Sequence, residues 1–234
     1  MKPPIPDAEV ARLAALERYR ILDTAPEQAF DDITRLASFI CGTPIAFMSL
    51  VDRERQWFKS KLGVAIQQTS RDTAFCAYTI LEPKLFVVED ALADERFADN
   101  PLVTADPHIR FYAGAPLLTA EGHALGSLCV LDRQPRQLSG QQGEALKSLA
   151  RTVVTTLELR RVSKDLAEAA SNLKTLGKLL PICSYCKGIR NDQGYWQQLE
   201  AYIETKTGTE FSHGICPECA AKHFPHLDLE RESI

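Results

Sequence analysis

A chain of 234 residues with 45% hydrophobic and 25% charged residues has the composition of an ordinary soluble globular protein. It has room for one domain of about 150 residues and a smaller appendage. A formal net charge of −4 argues against a broad nucleic-acid-binding face, which needs clustered Lys and Arg. The opening Met1-Lys-Pro-Pro-Ile-Pro-Asp7 lacks the apolar core of a signal peptide, and no run of about 20 apolar residues is present to span a membrane. A cytoplasmic location is therefore expected, where thiols stay reduced.

Residues 7 to 20 carry Val10, Leu13, Leu16 and Tyr19 at helical spacing, with Asp7 as N-cap. Thr24-Ala-Pro-Glu27 reads as a capping box opening a helix with Phe30, Ile33, Leu36, Ala37 and Ile40 on one face, which Gly42 stops. The apolar run 44–52 predicts a buried strand, 52–55 a turn, and 56–60 the returning strand. Residues 71–81 predict a short helix and 85–88 a strand. A loop with a short helix follows over 89–107. Strands are predicted over 109–118 and 124–131, joined by the hairpin turn Ala120-Glu-Gly-His123. Ser139 and Gln142 make a second capping box.

The helix opened there runs without proline to Leu180. Leu159, Val162, Leu166, Ala169, Leu173, Leu176 and Leu180 fall at alternating steps of three and four, the seam of a coiled coil. Leu146, Leu149 and Val153 follow the same spacing out of phase, which predicts a stutter near Thr156. The plainer alternative is an amphipathic helix packed on its own domain.

Pro181 ends the helix directly before Cys183-Ser-Tyr-Cys186, which is answered 29 residues later by Cys216-Pro-Glu-Cys219. Two such knuckles in a thiol-reducing compartment read as a tetrahedral zinc site with Cys183, Cys186, Cys216 and Cys219 as ligands. Four protein ligands close the sphere, so the expected zinc is structural. Its use is evident, because fewer than about 50 residues make too small a core to fold alone. The rival is thiol redox chemistry, with Cys216 at a helix N-terminus. His213 lies close enough in sequence to replace a ligand, although a solvated histidine is the plainer reading. His223 and His226 are weaker candidates. Trp196, Leu199, Tyr202 and Ile203 suggest a short helical face, and Pro217 the start of another helix. The tail 228–234 is charged and expected to fray.

The element order resembles the GAF domain, a small-molecule sensing module with an antiparallel sheet between helices. So do particular stretches: Ile21-Leu-Asp-Thr-Ala-Pro-Glu27, Ser49-Leu-Val-Asp52, Arg55-Gln-Trp-Phe-Lys59, Ser70-Arg-Asp-Thr-Ala-Phe-Cys76, Arg110-Phe-Tyr-Ala-Gly-Ala-Pro116 and Gly126-Ser-Leu-Cys-Val-Leu-Asp132. Together they are similar to one bacterial branch of that family, commonly fused to signalling outputs such as cyclic-dinucleotide synthases or histidine kinases. The stretch 180–219 resembles a C-terminal extension seen after bacterial sensor domains. The motif of cyclic-nucleotide-binding members is absent, as is the Cys-His pair that would carry a bilin. Cys41, Cys76 and Cys129 do not match the cysteine arrangement of the methionine sulfoxide reductases of this family. The resemblance places a ligand over the sheet and makes Trp57, Phe58, Arg71, Asp72, Phe75, Cys76, Phe111 and Tyr112 the candidate ligand-binding residues. Aromatic residues at such positions also serve simply as core.

The fold class expected is α+β. A GAF-like sensor domain covers 1–140, a linker helix 141–180, a four-cysteine zinc module 181–227 and a flexible tail 228–234. The function expected is non-catalytic signal sensing. An unknown small ligand or partner would bind the GAF domain, which would transmit through a homodimeric helix to the zinc module and a protein partner. No membrane or nucleic-acid partner is expected. The alternatives are a thiol-based redox enzyme of the methionine sulfoxide reductase kind and a ligand-free structural adaptor.

Overall fold

The computed structural model describes residues 2–176, 180–191, 193–212 and 214–225, and side chains only to Ser171 within the long helix. His213, His226 and the tail 228–234 lie outside the described residues, as do the side chains of Leu173 and Leu176. The chain divides into two compact units, 1–168 and 169–234.

The first unit is built on a six-stranded antiparallel sheet of strand order β3-β2-β1-β6-β5-β4. Its strands are Ile45–Val51 (β1), Arg55–Leu62 (β2), Gln68–Ser70 (β3), Phe86–Val88 (β4), Phe111–Leu118 (β5) and Ala124–Asp132 (β6). The central strands β1 and β6 are buried throughout, so both faces need a covering layer. On one face, Ala46, Met48, Leu50, Trp57, Phe111, Ala113 and Leu128 pack against the helices Glu9–Arg18 (α1) and Gln28–Cys41 (α2) and the first half of a long helix, Gly140–Leu176 (α5). On the other, Ile45, Phe47, Phe58, Tyr112 and Cys129 pack against the short helices Cys76–Thr79 (α3) and Pro101–Thr104 (α4) and the loop between β4 and β5.

Local signals explain most boundaries. Gly42 ends α2 in the left-handed conformation at φ 64°. Ser139 and Gln142 form the expected reciprocal cap, with N···O distances of 3.2 and 3.0 Å. Two other caps differ from expectation. Ala8, not Asp7, holds the N-cap of α1 and makes no side-chain bond, the Glu9 N–H closing on the Pro6 carbonyl instead. The Thr24–Glu27 box does not form. Lys59 and Arg160 both bind the Glu27 carboxylate, and Lys59 also donates to Thr24 Oγ1. The helix expected over 71–81 is broken, because a 3-10 turn at Arg71–Thr73 gives way to extended backbone at Ala74 before α3 begins. The edge strand β3 is too short and polar to show in the sequence pattern.

Along α5, Leu146, Ala150, Val153 and Leu157 are fully buried in the helical-face core. The apolar stripe then changes face. Leu159, Val162 and Leu166 are 67%, 51% and 68% exposed, so apolar packing on the domain reaches only as far as Leu157, and polar contacts continue beyond it.

In the second unit, Ile189–Arg190 (β7) and Trp196–Gln197 (β8) form a hairpin, followed by Leu199–Thr207 (α6) and Pro217–His223 (α7). Trp196 sits in β8 and not on the helical face expected for it. Among the described residues only Ile189 and Ala220 are buried apolar side chains of this unit, while Tyr185, Phe211 and Ile215 are exposed.

Candidate functional site

The sheet face beneath α3 carries a closed cluster of polar and thiol side chains. β1 supplies Ser49, β2 Gln56, β5 Tyr112, β6 Ser127 and Cys129, and α3 Cys76 and Thr79; all seven are buried. Cys76 Sγ lies 3.7 Å from Cys129 Sγ. Gln56 Nε2 and Tyr112 Oη each donate to Cys76 Sγ at 3.2 Å. Tyr112 Oη also lies 2.6 Å from Thr79 Oγ1 and 3.4 Å from Ser127 Oγ, which is itself 3.4 Å from Ser49 Oγ. Cys129 Sγ has the Phe47 carbonyl at 3.4 Å.

Local sequence puts Cys76 there. Ser70 Oγ accepts from the Asp72 N–H and opens the 3-10 turn, and Asn100 Nδ2 holds the Thr73 carbonyl at 2.9 Å. The chain then re-enters a helix with Cys76 in its first turn, facing the sheet. Burial raises the Cys76 thiol, but the surrounding Cys129, Ser127, Ser49 and Tyr112 side chains outweigh it and lower it below its ordinary value. Burial and the neighbouring Cys76 sulfur push the Cys129 thiol well above its ordinary value. The two neighbouring sulfurs are thus shifted in opposite directions.

Aromatic rings fill the space around this cluster. Phe75 stacks on Phe97 with centroids 4.1 Å apart and lies 5.1 Å from the Tyr112 ring. Phe86 is 5.9 Å from Tyr112, and Phe47 is 4.5 Å from Phe58. Between them lies a cavity of about 30 Å³ lined by Phe47, Gln56, Phe58, Thr69, Phe75 and Cys76, among others, and a more open cleft of about 490 Å³ lies against Tyr78, Thr79, Phe86 and Arg96. Small-molecule sites usually run to hundreds of Å³. A wider cleft of about 500 Å³, lined by Pro6, Ile80, Pro83 and His123 among others, contains none of the expected ligand residues.

Of the eight expected ligand residues, Phe58, Phe75, Cys76 and Tyr112 share this face. Trp57 and Phe111 lie in the core of the opposite face. The reason is the strand period, which turns neighbours such as Trp57 and Phe58 to opposite sides. Arg71 is locked elsewhere, its guanidinium on the Glu9 carboxylate and the Asp52 carbonyl. Asp72 is half-exposed and pairs with Lys2 at 3.0 Å. Sequence reasoning passed over Ser49, Gln56, Thr79 and Ser127. Their signal was present: Ser49 and Ser127 are hydroxyls set inside otherwise apolar strand runs, where a polar side chain needs a buried partner.

In the second unit each knuckle is locally formed. The Cys183 N–H donates to the Gly188 carbonyl at 2.8 Å and the Lys187 N–H to the Cys183 carbonyl at 3.0 Å, with Lys187 left-handed at φ 60°. Cys216 is the N-cap of α7, and its sulfur accepts from the Cys219 N–H at 3.5 Å. Backbone N–H groups, Cys186 first for Cys183 and Cys219 first for Cys216, lower both thiols and suit them to a metal. Cys219 is raised by the Cys216 sulfur. Among the described residues no three His, Cys, Asp or Glu side chains converge as a metal site.

The sequence matches the GAF domain family over residues 25–157. A relative in Pseudomonas aeruginosa, named as a cyclic di-GMP phosphodiesterase, is 44% identical over 167 residues, 71% of this chain. The chain spans only 28% of that relative's length. Among solved structures, the GAF domain of an Acinetobacter phosphoenolpyruvate-protein phosphotransferase is 16% identical, covering 66% of this chain and 98% of that one at a TM-score of 0.49. A free methionine-R-sulfoxide reductase from Neisseria meningitidis is 15% identical, covering 70% and 98% at a TM-score of 0.49. Neither structural likeness bears on ligand or reaction. With more than half of its length matched, the chain belongs to the GAF domain family.

Proposed function

We propose that this chain is a non-catalytic regulatory module of a bacterial signalling protein. Its GAF domain senses, α5 carries the response as a helix pair in a homodimer, and the four-cysteine module presents the face that a protein partner reads. The observation that carries this reading is the change of face along α5, where an exposed apolar stripe of heptad spacing starts just where apolar packing on the domain ends. A relative named for cyclic di-GMP chemistry supports a signalling context, and its phosphodiesterase activity is not carried over to this chain.

Sheet and helix are wired together beside that stripe. Glu27 accepts from Lys59 of β2 at 2.7 Å and from Arg160 of α5 at 2.9 Å, so movement in the sheet reaches the residue next to Leu159. Tyr19 bonds Glu158, and Arg20 pairs with Glu168 at 2.7 Å. Two packings of such a helix pair that differ by a few kcal/mol are enough for a switch. The zinc reading rests on the donor set and on need: Cys183, Cys186, Cys216 and Cys219 would hold the ion, in a unit whose described residues include only two buried apolar side chains. Bound zinc would supply folding energy and no reactive position.

One observation favours a second reading of the sheet face. Its own aromatic rings occupy it, which suits a domain that binds no large ligand and responds through its packing. Native mass spectrometry of freshly purified protein tests both readings. A dimer at micromolar concentration that becomes monomeric in Leu159→Glu/Leu166→Glu supports the helix pair, and a strictly monomeric wild type overturns it. A retained small molecule would refute the ligand-free reading.

A further inference from the structure

We propose that Cys76 and Cys129 form a peroxide-responsive dithiol, a modification site at the centre of the sheet that closes reversibly to a disulfide. The argument starts from distance. Two sulfurs 3.7 Å apart, both fully buried, need approach by less than about 2 Å to reach the S–S length of roughly 2.05 Å. They sit on separate elements, α3 and β6, so closing the bond draws a short helix onto the sheet. Their surroundings are not those of inert core cysteines. Five polar side chains aim at or around the pair, and two of them donate directly to the Cys76 sulfur, an arrangement that stabilises a thiolate. Cys41 supplies the contrast within the same domain: burial alone acts on it and pushes its thiol up to about 11.

Access and size select the oxidant. Cys76 lines the cavity of about 30 Å³, whose walls include Ile66, itself 44% exposed. A site for one water needs on the order of 10–15 Å³, so the cavity admits a molecule of about two heavy atoms and excludes a peptide disulfide. Hydrogen peroxide meets both limits. In the first step the Cys76 thiolate attacks one peroxide oxygen, the O–O bond breaks, hydroxide leaves, and Cys76 becomes a sulfenic acid. In the second the Cys129 sulfur attacks the Cys76 sulfur. The S–S bond forms, the S–O bond breaks, and water leaves with the Cys129 proton. The two cysteines lose two electrons and the peroxide gains them. In the disulfide, Gln56 and Tyr112 lose the thiolate they both donate to, which disturbs the hydrogen bonds joining β2 and β5 under α3.

The disulfide stands on its own geometry, and its consequence for α5 rests on the regulatory reading above. The full chain is exposed to hydrogen peroxide, quenched, denatured in an alkylating agent and mapped by mass spectrometry without reduction. The expected product is a cross-linked peptide pair joining Cys76 to Cys129, lighter by two hydrogens, restored to two alkylated cysteines by dithiothreitol, and not formed with oxidised glutathione. In Cys129→Ser the expected product is a sulfenic acid at Cys76, trapped by dimedone added together with the denaturant. The inference is overturned if Cys76 and Cys129 remain fully alkylated in wild type after exposure to a molar excess of peroxide, or if either pairs elsewhere. Should the cross-link form with hydrogen exchange of 159–168 unchanged, the thiol chemistry stands and its regulatory consequence falls.

Discussion

Removing the charge of Glu9 tests how the first helix is fastened to the sheet. The Glu9 carboxylate receives Arg12 at 2.7 and 2.8 Å and also binds Arg71, while Arg12 and Arg71 are 2% and 7% exposed. Burial raises the Glu9 carboxyl, but hydrogen bonds from Arg12 and then Arg71 outweigh it and hold it at about 2 against an ordinary 4.5. At about 1.4 kcal/mol per unit, that depression is worth roughly 3 kcal/mol at neutral pH. Breaking a buried ion pair from one side costs a similar 3–5 kcal/mol by general experience. Among the described residues Arg71 Nη2 already lacks a hydrogen-bond partner, so Glu9→Gln leaves two poorly compensated guanidinium groups. The expected loss is about 3 kcal/mol at pH 7. A depressed carboxylate contributes above its unfolded pKa and loses that contribution as pH falls through the folded one. The difference between wild type and Glu9→Gln should therefore hold above about pH 5, halve near pH 3 and vanish towards pH 1. Urea denaturation followed by Trp57 emission in a Trp196→Phe background isolates the first unit. A difference below about 1 kcal/mol at pH 7, or one unchanged at pH 3, would refute the reasoning.

Gly126→Ala should cost about 3 kcal/mol or abolish soluble expression, because its Cβ would stand 1.9 Å from the Ser49 carbonyl oxygen of the neighbouring strand; a normal melting temperature would contradict the register of β1 on β6. Tyr112→Phe removes the hydroxyl that joins Thr79 to Cys76 and should cost about 2 kcal/mol in denaturant, with retained fold by circular dichroism. For the second unit, Cys216→Ser or exhaustive chelation of the full chain should make 169–234 sensitive to protease and leave 1–168 intact. Zinc measured at well under one per chain in protein whose second unit resists protease would remove the structural-zinc reading.

Much of this molecule was legible in its residues, and each legible part rested on a local cause. Gly42, the Ser139–Gln142 box and Pro217 mark ends of helices because each satisfies or withholds backbone hydrogen bonds within a few residues. The element order and the motifs of the GAF branch are local in the same sense, as is the step of three and four from Leu159. Local pattern alone could also have separated Trp57 from Phe58 and Phe111 from Tyr112, since adjacent residues of a strand face opposite sides. Tertiary structure decided the rest. Glu27 reads as half of a capping box until Lys59 and Arg160, 32 and 133 residues away, compete for its carboxylate. Arg71 looks like a ligand clamp until Glu9 claims it from 62 residues upstream. The thiol and hydroxyl cluster is assembled from five elements, and central strands buried on both faces read as nearly unbroken apolar runs in which a single serine is easily passed over. Sequence by itself determined the backbone's turns, caps and periods; which side chains share a buried space depended on long-range pairing, where partners are chosen by distance in the fold.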